Sequence, residues 1–318
     1  MKSKSFQIGG LELIVTGRFP KIAKLKSEFD VPVETAEALA RDLRQRAPGA
    51  DLFTFMQRLP QSHPIYPYPM EWDNVAAIPI TTYETWLFKQ LHPNSRNKLR
   101  KAEKAGVVVR QLEINDELFK AIKEIQDECP IRQGARFRHY GESLETIKRG
   151  NSTFSERATV FGAYYKDEII GFLKVVPTAG FARVMGILAK IRHHERAPMN
   201  ALIAEAVKMC AEKQIPFLVY AKYAYGNSGS RTLMEFKANN GFEHILLPRY
   251  FVPLNSAGEM AQRLGLHRAI DQFVPQAAVN YLRDAKTRFV EWRYRTAIPQ
   301  VVRPQPESVA AAAITPEK

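Results

Sequence analysis

Cysteine is scarce: 318 residues carry only Cys129 and Cys210. Two cysteines cannot build a disulfide framework, and neither sits in a C-x-x-C or other metal-ligand spacing. Both read as reduced, buried thiols, which fits a cytoplasmic compartment. No apolar run approaches the roughly 20 residues of a membrane helix. The stretch Met1–Gln7 carries charge with no apolar segment behind it, which argues against a signal peptide. Adjacent His193 and His194 point in different directions, and no carboxylate–histidine spacing completes a site, so no metal is expected. Acidic residues are also in deficit, 33 Asp and Glu against 46 Lys and Arg, for a net charge of +13. That excess favours anionic partners such as nucleotides, nucleic acid, anionic lipid or acidic sugars, without choosing among them.

What is present is ordinary for a soluble globular protein, with 45% hydrophobic and 25% charged residues. The length suits two domains or one large duplicated one. Periodicity predicts a strand over 11–16, a helix over 34–46 closed by Pro48-Gly49, and a strand over 52–57. The Pro- and Tyr-rich run 63–69 is a loop or boundary. Residues 82–106 read as one helix, and 115–129 as another with Asn115 as its N-cap. Three β-rich segments follow, 159–165, 169–176 and 183–188, with turns at 167–168 and 178–180, which is an antiparallel meander. Then come a helix over 199–213, a strand over 217–223, a short helix over 230–239 closed by Asn240-Gly241, and a last strand over 242–252 that Pro248 should break or bulge. Residues 258–295 look helical and carry a net +3, and 303–318 read as a disordered tail. The order β-β-β-α-β-α-β makes the fold α+β with a mixed sheet.

Three stretches placed on that order resemble a known group. They are the basic run 94–107, the segment 230–242 with Phe236-Lys237 and Gly241-Phe242, and Pro248-Arg249-Tyr250-Phe251. Together they resemble the GNAT superfamily of acyltransferases, in its Fem-type (FemAB-like) aminoacyltransferase branch, which includes BioF2-like acetyltransferase domains. The resemblance implies a GNAT-like mixed central sheet flanked by helices. It divides the chain into a partial GNAT-like subdomain over 1–80, an acyltransferase domain over 81–255, a basic helical extension over 256–297 and a tail over 298–318.

The candidate site residues fall into three groups. Residues 89–104 carry a net +5, and Arg96, Arg100 and Lys104 share one helix face that could hold phosphates. Residues 132–149 interleave Arg132, Arg136 and Arg138 with His139 and Tyr140, which suits a planar, anionic or sugar-like ligand. The resemblance implies acceptor contacts in that region. It also implies that Lys237, in the "FK" pair, assists a developing oxyanion, and that a tyrosine among Tyr220, Tyr223 and Tyr225 protonates the leaving group. We take Tyr225 for that role, with Asn227 beside it for the donor. GNAT enzymes that use acyl-CoA carry R-x-x-G-x-G/A before the central helix, where backbone N–H groups hold pyrophosphate. Here the place reads Arg192-His193-His194-Glu195-Arg196-Ala197, followed by Pro198 and Asn200. Arg192, Arg196 and Asn200 are the candidate donor contacts, while Glu195 stands where glycine is expected and brings a negative charge.

The sequence therefore points to an N-acyltransferase. It would move an acyl group from acyl-CoA or a similar thioester to a small-molecule or sugar-linked amine, in cell-surface polysaccharide synthesis by analogy. Aminoacyl transfer from a tRNA donor is a second reading, and a non-catalytic binding protein with a degenerate fold is a third. A cytoplasmic protein resting against an anionic inner-membrane surface fits the basic extension.

Overall fold

The computed structural model describes residues 4–28, 36–46, 49–132, 135–224 and 231–268. In chain order the elements are β1 (Lys4–Ile8), β2 (Leu11–Thr16), β3 (Ile22–Leu25), α1 (Ala36–Arg46), β4 (Leu52–Met56) and β5 (Met70–Pro79). A short α2 (Tyr83–Thr85) runs into a π-helical turn, Trp86–Gln90, and α3 (Pro93–Lys104) follows. Next are β6 (Val108–Leu112), α4 (Asp116–Asp127), β7 (Ile131–Arg132), β8 (Ala135–Arg136) and α5 (Leu144–Asn151). The last part comprises β9 (Thr159–Tyr165), β10 (Glu168–Thr178), β11 (Phe181–Ala189), a 3-10 turn Ile191–Arg196, α6 (Pro198–Glu212), β12 (Phe217–Val219), α7 (Arg231–Asn239), β13 (Glu243–Pro253) and α8 (Ser256–Arg263).

Eleven strands form one mixed sheet in the order β1-β2-β3-β4-β13-β5-β12-β11-β10-β9-β6. Among the described residues, β3–β4 and β11–β12 pair in parallel and the other ladders are antiparallel. The β13–β4 ladder joins the first 56 residues to the last strand. Helix α6 buries Leu202, Ile203, Ala206, Val207 and Cys210 in the main core. Helix α1 buries Leu39, Ala40 and Leu43 against Phe53, Phe55 and Tyr250. Helices α4 and α5 cover Val160 and Phe172 on the opposite face. Among the described residues no helix is long and apolar enough to cross a membrane.

Most local expectations hold. Asn115 caps α4 by accepting from Leu118 N at 3.0 Å, and the strand over 159–165 has the bounds expected of it. The β9–β10 turn sits at Lys166-Asp167, both with positive φ, one residue earlier than expected. The helix expected over 82–106 is broken: the π turn ends at Leu91, and Pro93 starts a new helix with His92 in an extended conformation. Pro248 makes no bulge, because the β13–β5 register runs unbroken from Glu243 to Tyr250. Its carbonyl accepts from Gln57 N just past the end of β4, so its missing N–H faces the place where that strand leaves the sheet. Residues 132–149 hold part of the β7–β8 hairpin and most of α5. The helical reading of 258–295 is met over Ser256–Arg263, while 269–318 lie outside the described residues.

Candidate active site

The site begins where two parallel strands part. β11 and β12 pair only at Ala182↔Leu218 and Arg183↔Val219. Beyond that point β11 stays with β10 as far as Ala189, whereas Tyr220 and Ala221 exchange hydrogen bonds with Ala76 of β5. A wedge therefore opens between the second half of β11 and residues 220–224. Two residues into it, β11 carries a β-bulge: Lys174 pairs with Gly186 and Val175 with Val184, leaving Met185 extra. Bulges of this kind concentrate beside active sites, where they turn backbone groups away from the ladder.

The 3-10 turn and the start of α6 follow directly on the end of β11. Pro198 suits the first helical turn, and no side chain caps this helix. Pro198 has no N–H, and those of Asn200 and Ala201 bond to the Ala197 carbonyl, so Met199 N–H and the positive dipole end are what the first turn offers an anion. Arg196 stands beside it, 94% buried, with its guanidinium carbon 4.0 Å from the centre of the Tyr165 ring. Its Nε and Nη1 have no hydrogen-bond partner among the described residues. A buried guanidinium N–H group calls for a partner, such as a water or an anion. Asn200 is buried and donates to Asn240 Oδ1 at 2.9 Å, tying the start of α6 to the end of α7.

Two carboxylates fix the turn. Glu128, at the end of α4, accepts from the N–H groups of Ile191 and Arg192. Glu168 takes Lys190 Nζ at 2.7 Å, His193 Nε2 at 3.2 Å and the Arg192 guanidinium. Burial pushes Glu168 upward, but the hydrogen bonds from Lys190 and Arg192 outweigh it and bring the carboxyl down to about 2. Burial lowers His193 despite Glu168. Arg192 is therefore held by carboxylates, which leaves Arg196 as the turn's buried cation with donor atoms to spare. The negative charge of Glu195 is met by Lys101 of α3 at 3.0 Å.

On the other wall, Lys237 of α7 is fully buried. Its Nζ donates to the carbonyl of Lys222 and lies 4.8 Å from the centre of the Tyr220 ring. Burial pushes its ammonium down to about 8. Tyr223 stacks on His244 at 5.0 Å. Tyr225 and Asn227 lie outside the described residues.

The β7–β8 hairpin adjoins the turn, since Cys129 and Ile131 pack on Ile191. Arg132 is committed to structure: it donates to the carbonyls of Ala189 at 2.8 Å and Ile125 at 2.9 Å. Arg136, Arg138 and Tyr140 are exposed. His139 is braced by Arg138 Nε at 2.9 Å and Glu142 at 3.1 Å. On α3, Arg96 turns back to the carbonyls of Phe88 and Leu91, while Lys98, Arg100, Lys101 and Lys104 face solvent.

No protein-family model and no curated protein matches the sequence. Solved structures do match its shape. FemX superposes with a TM-score of 0.57 at 12% identity, covering 82% of this chain and 90% of that one. The C-terminal domain of a putative lysylphosphatidylglycerol synthetase from Agrobacterium fabrum gives 0.52 at 15% identity, covering 82% and 86%. L-PGS from Bacillus licheniformis gives 0.51 at 14%, covering 82% and 88%. The chain shares the fold of FemX and of these synthetase domains. At these identities the likeness speaks for the fold alone. Tyr165, Glu128, Glu168 and Lys101 contact the turn and were not singled out from the sequence, because each is joined to it only by tertiary contact.

Proposed function

We propose that the protein is an acyltransferase that takes an acyl or aminoacyl group from a phosphate-bearing donor and delivers it to an amine. The observation that carries this reading is Arg196, buried with unmatched donor atoms beside the uncapped start of α6, in the turn that follows β11. The pairing of Glu195 with Lys101 removes the electrostatic objection to phosphate there. Acyl-CoA suits this place, with Arg196, Met199 N–H and the positive end of α6 holding phosphate. When bound, such a donor supplies an activated carbonyl. Lys237 then places a cation beneath the wall formed by 220–224, where it favours negative charge developing on the carbonyl oxygen. Tyr225, by the family resemblance, would protonate the leaving group. The exposed Arg136, Arg138 and Tyr140 of the hairpin are the proposed acceptor contacts, with His139 braced among them. Arg192 supports the turn rather than the donor, and Asn200 locks it to α7. The protein would work in the cytoplasm, where such donors are made.

An aminoacyl-tRNA donor is the second reading. It is favoured by the solvent-facing Lys98, Arg100, Lys101 and Lys104, which extend the phosphate site along α3. The test is a transfer assay with acetyl-CoA or aminoacyl-tRNA and a panel of primary amines, scoring released thiol or deacylated tRNA. Turnover with one donor, reduced about 10-fold or more in kcat/KM by Arg196→Gln, is expected. Binding of either donor with no transfer to any amine would leave a binding module and remove the enzyme reading.

A further inference from the structure

A buried ionic chain that the proposed reaction leaves unused runs through Asp73 of β5. Residue 222, whose carbonyl holds Lys237, is not placed by strand pairing. β12 ends at Val219, and the last ladder bonds to β5 come from Tyr220 and Ala221. Ala221 has φ +51, the left-handed region that alanine occupies only when its surroundings hold it there. Two adjacent side chains of β5 supply that hold. Asp73 Oδ1 lies 2.9 Å from Lys222 Nζ, and Asn74 Oδ1 accepts from Ala224 N at 2.8 Å.

Asp73 is itself buried and pinned. Its Oδ2 accepts from Arg249 Nε at 2.7 Å, and Arg249 forks onto both oxygens of Glu28 at 2.8 Å each. Glu28 also accepts from Met56 N at 3.0 Å. Burial pushes Asp73 upward, yet Arg249 and Lys222 outweigh it and hold the carboxyl below its usual range. Its neighbours on that sheet face, Val75, Ala77 and Leu247, are apolar. An ionic chain in such surroundings is a poor way to gain stability, because apolar packing of similar volume does as well or better. Its effect here is placement. Glu28, Arg249, Asp73 and Lys222 connect the β3–β4 side of the sheet to the backbone oxygen under Lys237.

We propose that Asp73 is a positioning residue for acyl transfer, setting the place of Lys237 through the Lys222 backbone. This rests on the acyltransferase reading above. The decisive variant is Lys222→Met, because Lys222 is half-exposed and its loss spares the core. Lys222→Met and Asp73→Asn are each expected to lower kcat with acetyl-CoA and a primary amine by about 10- to 100-fold, the range a sub-ångström to 1 Å misplacement produces. KM should stay within about 2-fold, and Lys222→Arg, which keeps a cation for Asp73, should recover most of the rate. Thermal unfolding of wild type, Lys222→Met, Lys237→Met and the double variant needs no substrate. The two single shifts should fail to add by about 2 °C or more. Additive shifts, or wild-type kcat in Lys222→Met, overturn the inference. Coupled shifts in a protein that transfers nothing keep the Asp73–Lys237 link and remove the acyltransferase reading instead.

Discussion

Lys237→Met should separate stability from activity. Burial brings the Lys237 ammonium from 10.5 down to about 8. At about 1.36 kcal/mol per pH unit, keeping that charge in the folded state costs on the order of 3 kcal/mol at neutral pH. Methionine removes the charge and keeps much of the volume, but it leaves the Lys222 carbonyl without this donor, a loss of about 1–3 kcal/mol. The net expectation is a variant as stable as wild type or more so, by up to about 2 kcal/mol, with turnover reduced about 10²- to 10³-fold. The unfolded chain keeps the lysine proton up to pH 10.5, whereas the folded chain releases it near 8. Between those values the unfolded state binds more protons, so wild-type stability rises with pH. The advantage of the methionine variant is therefore full below pH 8 and fades by about pH 10. Lys174, whose ammonium burial also lowers to about 8, is present in both proteins and cancels in the difference. Urea denaturation of both proteins from pH 6.5 to 9.5 measures this directly. A variant less stable by more than about 1 kcal/mol at pH 7, with a difference flat in pH, would refute the buried-cation argument.

Three further outcomes are expected. Glu168→Gln should lower stability at neutral pH, because Glu168 holds three groups of the turn with its carboxyl at about 2 against an ordinary 4.5. That deficit should shrink as the pH falls from 4.5 towards 2 in acid-unfolding curves, and a deficit constant with pH would count against the hub. Lys101→Ala should weaken CoA binding more than loss of one surface lysine does, since it unmasks Glu195. Lys101→Ala with Glu195→Gly should recover it by calorimetry, and no recovery would show that the pair does not govern the site. The exposed Leu264, Leu266, Arg263 and Arg268 after β13 should give salt-sensitive sedimentation with anionic vesicles; absence of binding at low salt would leave that surface without a membrane role.

The second half of the chain was readable because its strands and central helix follow their periodicities: residues 159–165 and 198–212 are apolar in the pattern their neighbours require. β5 was not readable. Asp73 and Asn74 interrupt its apolar run, and those are the residues that hold 222–224. Arg132 and Arg96 looked like ligand contacts because an arginine near a loop shows its charge in sequence and not its partner; both are committed to backbone carbonyls. Glu195 looked hostile to phosphate because Lys101 is 94 residues away in sequence and 3.0 Å away in space. Arg196 was legible as a cation in the right turn. That it is buried against Tyr165 with donors unmatched follows only from the packing of β9 against the turn.

The claim on which the rest depends is that the start of α6 and Arg196 hold the donor's phosphates. Isothermal titration of inorganic pyrophosphate and of CoA into wild type and Arg196→Gln, at low and high salt, addresses it without any acceptor. The expected result is salt-sensitive binding to wild type, weakened about 10-fold or more in the variant, with unchanged melting. Equal affinity in the two proteins, or no binding of either ligand to wild type at low salt, would contradict it.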